Sequence, residues 1–123
     1  MFEAAVRRTF AAAHAIRLPD GSFEPLHGHN WNVEVEVAAD ELDGIEVVID
    51  FHELQAAVDA VTGPWHNRNL NDLEPFAGNR INPTAERVAW WIAQRVAATL
   101  PAHIRLVRVG VEEATGCVAT FRP

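Results

Sequence analysis

Lysine is missing from this chain of 123 residues, so all ten basic side chains are arginines and the formal net charge is −7. A nucleic-acid partner needs a dense basic face, which this composition does not supply. An anionic small molecule would have to be held locally, by an arginine or by backbone amides, against the overall field. No apolar run approaches the ~20 residues of a membrane-crossing helix, so no membrane partner is expected. Cysteine occurs once, at Cys117, and a lone thiol cannot close an internal disulfide. The N-terminus, Met1-Phe2-Glu3, lacks the basic-then-apolar pattern of a signal peptide, and the cytoplasm is the expected compartment. What remains is globular in kind: 49% hydrophobic with four tryptophans, read as one domain over residues 1–123.

Histidine occurs six times, and three of the six are tellingly placed. His27-Gly28-His29 follows a lone His14. Residues two apart on an extended segment point to the same side. Between Trp31 and Val37, Trp31 and three valines alternate with Asn32, Glu34 and Glu36, which predicts a strand. Extending that parity backwards puts His29 and His27 on its apolar face. The segment Phe2 to His14 alternates as well, with Arg8 the exception and His14 on the apolar parity. A hairpin would bring the three imidazoles together at the strand ends. One histidine on an apolar face is usually an ordinary core residue, whereas three converging ones suit zinc or a similar borderline divalent ion. Three protein ligands leave a tetrahedral zinc one open position, the mark of a catalytic site.

The connection from Ala15 to Leu26 is long for a hairpin, with a turn signal at Pro19-Asp20-Gly21, and it carries Glu24 three residues before His27. A carboxylate beside a bound cation is a candidate general acid or base. Asp50 and Glu53 mark a helix start, and Phe51, Leu54, Val58 and Val61 form its apolar stripe until Gly63-Pro64. A polar stretch follows, Trp65 to Asn79, containing His66. Asn82-Pro83-Thr84 opens a second helix with proline at its first position, and Val88, Ile92, Val96 and Leu100 face the core. Trp90-Trp91 reads as core plus an oligomer contact, and His52 and His103 as solvated. Near the end, Arg105, Val107, Val109, Val111 and Glu113 share one parity, and Thr115-Gly116 turns the chain into Cys117 to Phe121. The element order ββααββ predicts an α+β domain, a four-stranded antiparallel sheet with two helices on one face. Glu113, ending an apolar row, is placed to accept two parallel N–H bonds from a flat guanidine-like edge such as that of a pterin or guanine.

Taken together, these residues resemble the 6-pyruvoyl-tetrahydropterin synthase and 6-carboxytetrahydropterin synthase family. The landmarks are Phe10-Ala11-Ala12-Ala13-His14, His27-Gly28-His29-Asn30-Trp31, Val48-Ile49-Asp50-Phe51, Arg68-Asn69-Leu70-Asn71-Asp72, Asn82-Pro83-Thr84 and Val109-Gly110-Val111-Glu112-Glu113. The resemblance implies a tunnelling fold, in which sheets from several subunits close into a barrel as a trimer or a hexamer. It implies zinc on His14, His27 and His29, and a pterin anchored by Glu113 near Thr84 in a pocket shared between subunits. The usual substrate of such proteins is 7,8-dihydroneopterin triphosphate.

The chain departs from the family pattern twice. Where the family carries a proton-transferring cysteine before the His-Gly-His, this chain reads Phe23-Glu24-Pro25-Leu26. A glutamate in that place is similar to the type III variant, which implies side-chain cleavage to 6-hydroxymethyl-7,8-dihydropterin with Glu24 as the base. The family's Asp-His pair before Arg-Asn-Leu-Asn-Asp is replaced by His66-Asn67, so the relay does not carry over unless a one-residue bulge returns His66 to the site. The leading expectation is therefore a zinc-dependent lyase with catalytic Glu24 and His66. The alternatives are 6-pyruvoyl or 6-carboxy product formation, and a zinc-holding pterin or purine binder without turnover.

Overall fold

In the computed structural model, which describes residues 1–123, two strands of equal length form the backbone of the sheet. β1 (Phe2–His14) and β2 (His27–Ala39) pair antiparallel from Phe2 opposite Ala39 to His14 opposite His27. The predicted alternation is what folds: Trp31, Val33, Val35 and Val37 are buried, while Asn32 between them is exposed. β4 (Arg105–Ala114) pairs with β2, and β5 (Cys117–Phe121) pairs with β4. The helices α1 (Phe51–Thr62) and α2 (Ala85–Ala97) pack on the sheet, α1 against β1 and α2 against β4 and β5. Leu54 and Val58 from α1 and Val88, Ile92 and Val96 from α2 complete one core cluster with the strand valines.

The sheet corrects the expectation of four antiparallel strands. A two-residue strand, β3 (Arg68–Asn69), pairs parallel with β1 at Ala12 and Ala13, giving a mixed five-stranded sheet in the order β3-β1-β2-β4-β5. Asn67, at φ 61° in the left-handed region, turns the chain onto that edge, and its N–H donates to the Ala11 carbonyl.

Smaller corrections have local causes. Arg8, the break in the β1 alternation, sits on the helix side because it makes two hydrogen bonds to the Asp59 carboxylate of α1. Phe51 does not join the helix stripe: it is 57% exposed at the first helical position, and Thr62 is buried at the other end. Pro83 is not the first residue of α2, because the Thr84 hydroxyl caps the helix by accepting from the Arg87 N–H, leaving Pro83 outside with its carbonyl free for another partner. The row on β4 breaks at Val107, where Glu36 pairs with Arg108 but Val37 pairs with Leu106. Beyond that bulge it is Leu106, not Val107, that packs on the core. Trp90 and Trp91 are half-buried on α2, with Arg87 and Arg95 standing over their rings at 4.9 and 5.7 Å. His52 and His103 are exposed, as expected.

Candidate functional site

The final rung of the β1–β2 ladder sets His14 directly opposite His27, and His29 lies two residues farther along the same face. Their ring centroids are 4.7 to 5.2 Å apart, and their donor atoms all lie within 4.8 Å of one another. That span is somewhat wider than the nitrogen–nitrogen edge of a tetrahedral zinc site, about 3.4 Å for bonds of ~2.0–2.1 Å. Exposure grades across the set, with side chains 0% exposed at His14, 21% at His29 and 40% at His27. The cluster thus has a dry inner wall and an open outer one. Trp31 forms the floor, its ring edge-on to His14 at 4.8 Å and its indole N–H donating to the Ala12 carbonyl.

The backbone fixes which nitrogen of each ring is available. His14 Nδ1 donates to the Pro83 carbonyl at 2.7 Å, and His27 Nδ1 donates to the Pro25 carbonyl at 2.8 Å. A carbonyl can only accept, so in both neutral rings the lone pair is on Nε2. Outer-shell carbonyls that pin ring and tautomer in this way are typical of metal-bound histidines. His14 Nε2 and His29 Nε2 are buried with no hydrogen-bond partner, a costly arrangement unless a cation takes both. Burial pushes His14 below the usual imidazole range and outweighs the Pro83 carbonyl and the Glu113 carboxylate, which pull it up. The neutral, ligand-ready form is the one favoured. These donors fit a zinc-like ion.

Two carboxylates flank the cluster. Glu24 is delivered by its loop, which folds as a miniature hairpin: Arg17 bridges to Phe23, and Gly21, at φ 87°, makes the turn. Its N–H donates to the Ile16 carbonyl, and its Oε1 accepts from the Ile16 N–H at 3.1 Å while lying 3.8 Å from His27 Nε2. Glu113 arrives from a second bulge on β4, between Glu112 and Ala114, and its Oε1 is 2.9 Å from His14 Nε2 and 3.7 Å from His29 Nε2. Despite the 2.9 Å approach, His14 Nε2 has no hydrogen-bond partner. Glu113 and Thr84 line one cavity of about 340 Å³, within the usual size range of small-molecule pockets.

His66 is the predicted residue that the fold does not bring to the cluster. It is exposed beside β1, its Nδ1 accepting from the Ala11 N–H at 3.1 Å. A separate cavity of about 510 Å³ at that edge is lined by Asn67, Arg68 and His29 among others. Sequence reasoning missed Cys117, which lines the Glu113–Thr84 cavity although it is far from Glu24 in the chain. The hairpin turn at Thr115-Gly116 was the available signal, since it folds Cys117 back beside Ala114. The Pro25 and Pro83 carbonyls carried no signal, because any residue type offers one.

The chain is similar in sequence and in fold to known proteins. Over 107 residues the chain is 36% identical to the dihydroneopterin monophosphate aldolase of Pyrococcus furiosus, covering 87% of this chain and 85% of that protein. It is 35% identical over 119 residues to the 6-carboxy-5,6,7,8-tetrahydropterin synthase of Bacillus subtilis, covering 92% and 80% respectively. The solved structure of the Caenorhabditis elegans 6-pyruvoyl tetrahydropterin synthase superposes with a TM-score of 0.81 at 24% identity, covering 100% of this chain and 97% of that one. That likeness identifies the tunnelling fold. A family model described as 6-pyruvoyl tetrahydropterin synthase matches residues 3–123. The chain therefore belongs to the 6-pyruvoyl tetrahydropterin synthase family, a family of pterin side-chain lyases and synthases.

Proposed function

We propose that this protein is a zinc-dependent lyase that cleaves the side chain of a 7,8-dihydroneopterin phosphate, the monophosphate or the triphosphate, to 6-hydroxymethyl-7,8-dihydropterin. The observation that carries the reading is Glu24, a carboxylate held 3.8 Å from His27 Nε2 at the place where the resemblance implies a cysteine. The relative named as an aldolase supports carbon–carbon cleavage, and its name favours the monophosphate. His14, His27 and His29 would hold the metal. A zinc ion there would lower the pKa of a bound hydroxyl, as it lowers that of water from 15.7 to ~7.

The protein's own groups divide the remaining work. Glu113 accepts the two N–H donors of the pterin ring edge, with Thr84 on the same wall. Glu24 removes the proton from the outer of the two side-chain hydroxyls. The bond between the first and second side-chain carbons breaks, and its electron pair passes into the ring C=N. The second carbon leaves as the aldehyde of glycolaldehyde phosphate when the monophosphate is the substrate. A proton returned to the first carbon completes the product, and His66 is the donor we assign. His66 is exposed beside β1 and away from this chain's own histidine cluster, so we assign it to a pocket across a subunit seam. The same seam would pair that edge with the free side of β5, closing a barrel as a trimer or a stacked pair of trimers.

A second reading, 6-pyruvoyl or 6-carboxy product formation, draws on Cys117, whose position in the Glu113 cavity supplies a thiol near the ring. Chromatographic identification of the products formed from 7,8-dihydroneopterin monophosphate separates the readings. The 6-hydroxymethyl product together with glycolaldehyde phosphate is expected. A 6-pyruvoyl or 6-carboxy product as the main species would overturn the cleavage assignment. Tight pterin binding without any product would make the protein a binder.

A further inference from the structure

Of the two carboxylates at the histidine cluster, only one is committed. Glu24 is tied to the Ile16 N–H through its Oε1. Glu113 sits in a bulge that breaks the β4–β5 ladder, and its neighbour Glu112 takes the local hydrogen bonds, from the Asn32 amide and the Gly116 N–H. The Glu113 carboxylate is thereby left to face the imidazoles. Bulges beside active sites re-aim a side chain in this way.

The facing atoms suit a cation among them. His14 keeps its proton on Nδ1 and donates it in a hydrogen bond to the Pro83 carbonyl, so Nε2 presents a lone pair, and Glu113 Oε1 stands 2.9 Å from it. Two electron-rich atoms at that distance repel unless a positive centre binds both. The distances from Oε1 to His14 Nε2 and His29 Nε2, 2.9 and 3.7 Å, bracket the edge of a tetrahedral zinc polyhedron, about 3.3 Å.

We infer that Glu113 is the fourth donor of the metal centre in the ligand-free protein and leaves it when a pterin ring arrives. The centre is then closed at rest. The carboxylate that recognises the ring edge is the group that must move away to open the coordination position. Ring recognition and exposure of the reactive position become a single event, and a small anion or water that cannot engage Glu113 does not open the site. This inference rests on the metal and pterin assignments made above.

Cobalt(II) in place of zinc tests it, because visible cobalt absorption reports donor set and geometry without any turnover. Metal-free wild type, Glu113→Gln and His27→Ala would be titrated with Co2+, each checked for the wild-type circular dichroism. Wild type is expected to bind one equivalent, and Glu113→Gln to bind at least ~10-fold more weakly with a shifted spectrum. Adding 7,8-dihydroneopterin to the wild-type cobalt protein should also shift its spectrum. If Glu113→Gln matches wild type in affinity and spectrum while His27→Ala loses the ion, Glu113 is not a ligand and the histidine centre stands. If His27→Ala binds Co2+ as wild type does, the metal reading falls, and this inference with it.

Discussion

His14 is the most constrained side chain in the site, fully buried, pinned by the Pro83 carbonyl and seated against Trp31. Its folded-state affinity for a proton is depressed, so in metal-free protein the unfolded chain binds more protons than the folded one below the ordinary imidazole pKa of about 6.5. Its contribution to stability is complete above that pH and is lost as pH falls through the folded value. Urea midpoints of metal-stripped protein should therefore decline from pH 7 toward pH 5, and His14→Gln should flatten the slope. A wild-type slope no steeper than that of the variant would contradict this. Glu24 makes a separate residue-scale prediction. Glu24→Ala should lower kcat by roughly 10²–10⁴-fold, the usual loss of a general base, while the metal count stays at the wild-type value. An unchanged kcat would remove Glu24 from the chemistry.

At the scale of elements, the long alternating segments were legible and the short ones were not. Trp31 to Val37 disclosed β2 because a strand with one buried face must alternate, and that parity carried the three histidines to one side. β3 was invisible because two residues, Arg68 and Asn69, are too few to show any period. The bulges at Val107 and Glu113 were equally hidden, since an inserted residue reverses parity without leaving a compositional trace. Arg8 looked like an error in the pattern until α1 supplied Asp59. Pro83 and Thr84 competed for the start of α2, and the hydroxyl prevailed by satisfying the Arg87 N–H. Thr84→Ala should accordingly cost about 1 kcal/mol in denaturant unfolding, with Thr84→Ser much closer to wild type. Equal stability of the alanine variant would show that the cap is not needed.

Across the whole molecule, the sheet ends in two open edges, β1 beyond its short pairing with β3, and the outer side of β5. His66, the proposed proton donor, lies beside β1, and Cys117, the thiol of the second reading, lies at the start of β5 near Glu113 and Thr84. On the sheet face away from the helices, Arg108 pairs with Glu34 and Glu36, and Arg7 pairs with Glu34, so the acidic strand residues are neutralised in place. Open edges and the shared pocket proposed above would call for several copies, so native mass spectrometry should find a multiple of three chains of 13.6 kDa. A monomer at micromolar concentration would contradict the shared pocket. Anomalous diffraction at the zinc edge from crystals of the metal-replete protein should show one strong peak per chain, bonded to Nε2 of His14, His27 and His29. Zinc-replete crystals with no peak among those nitrogens would contradict it.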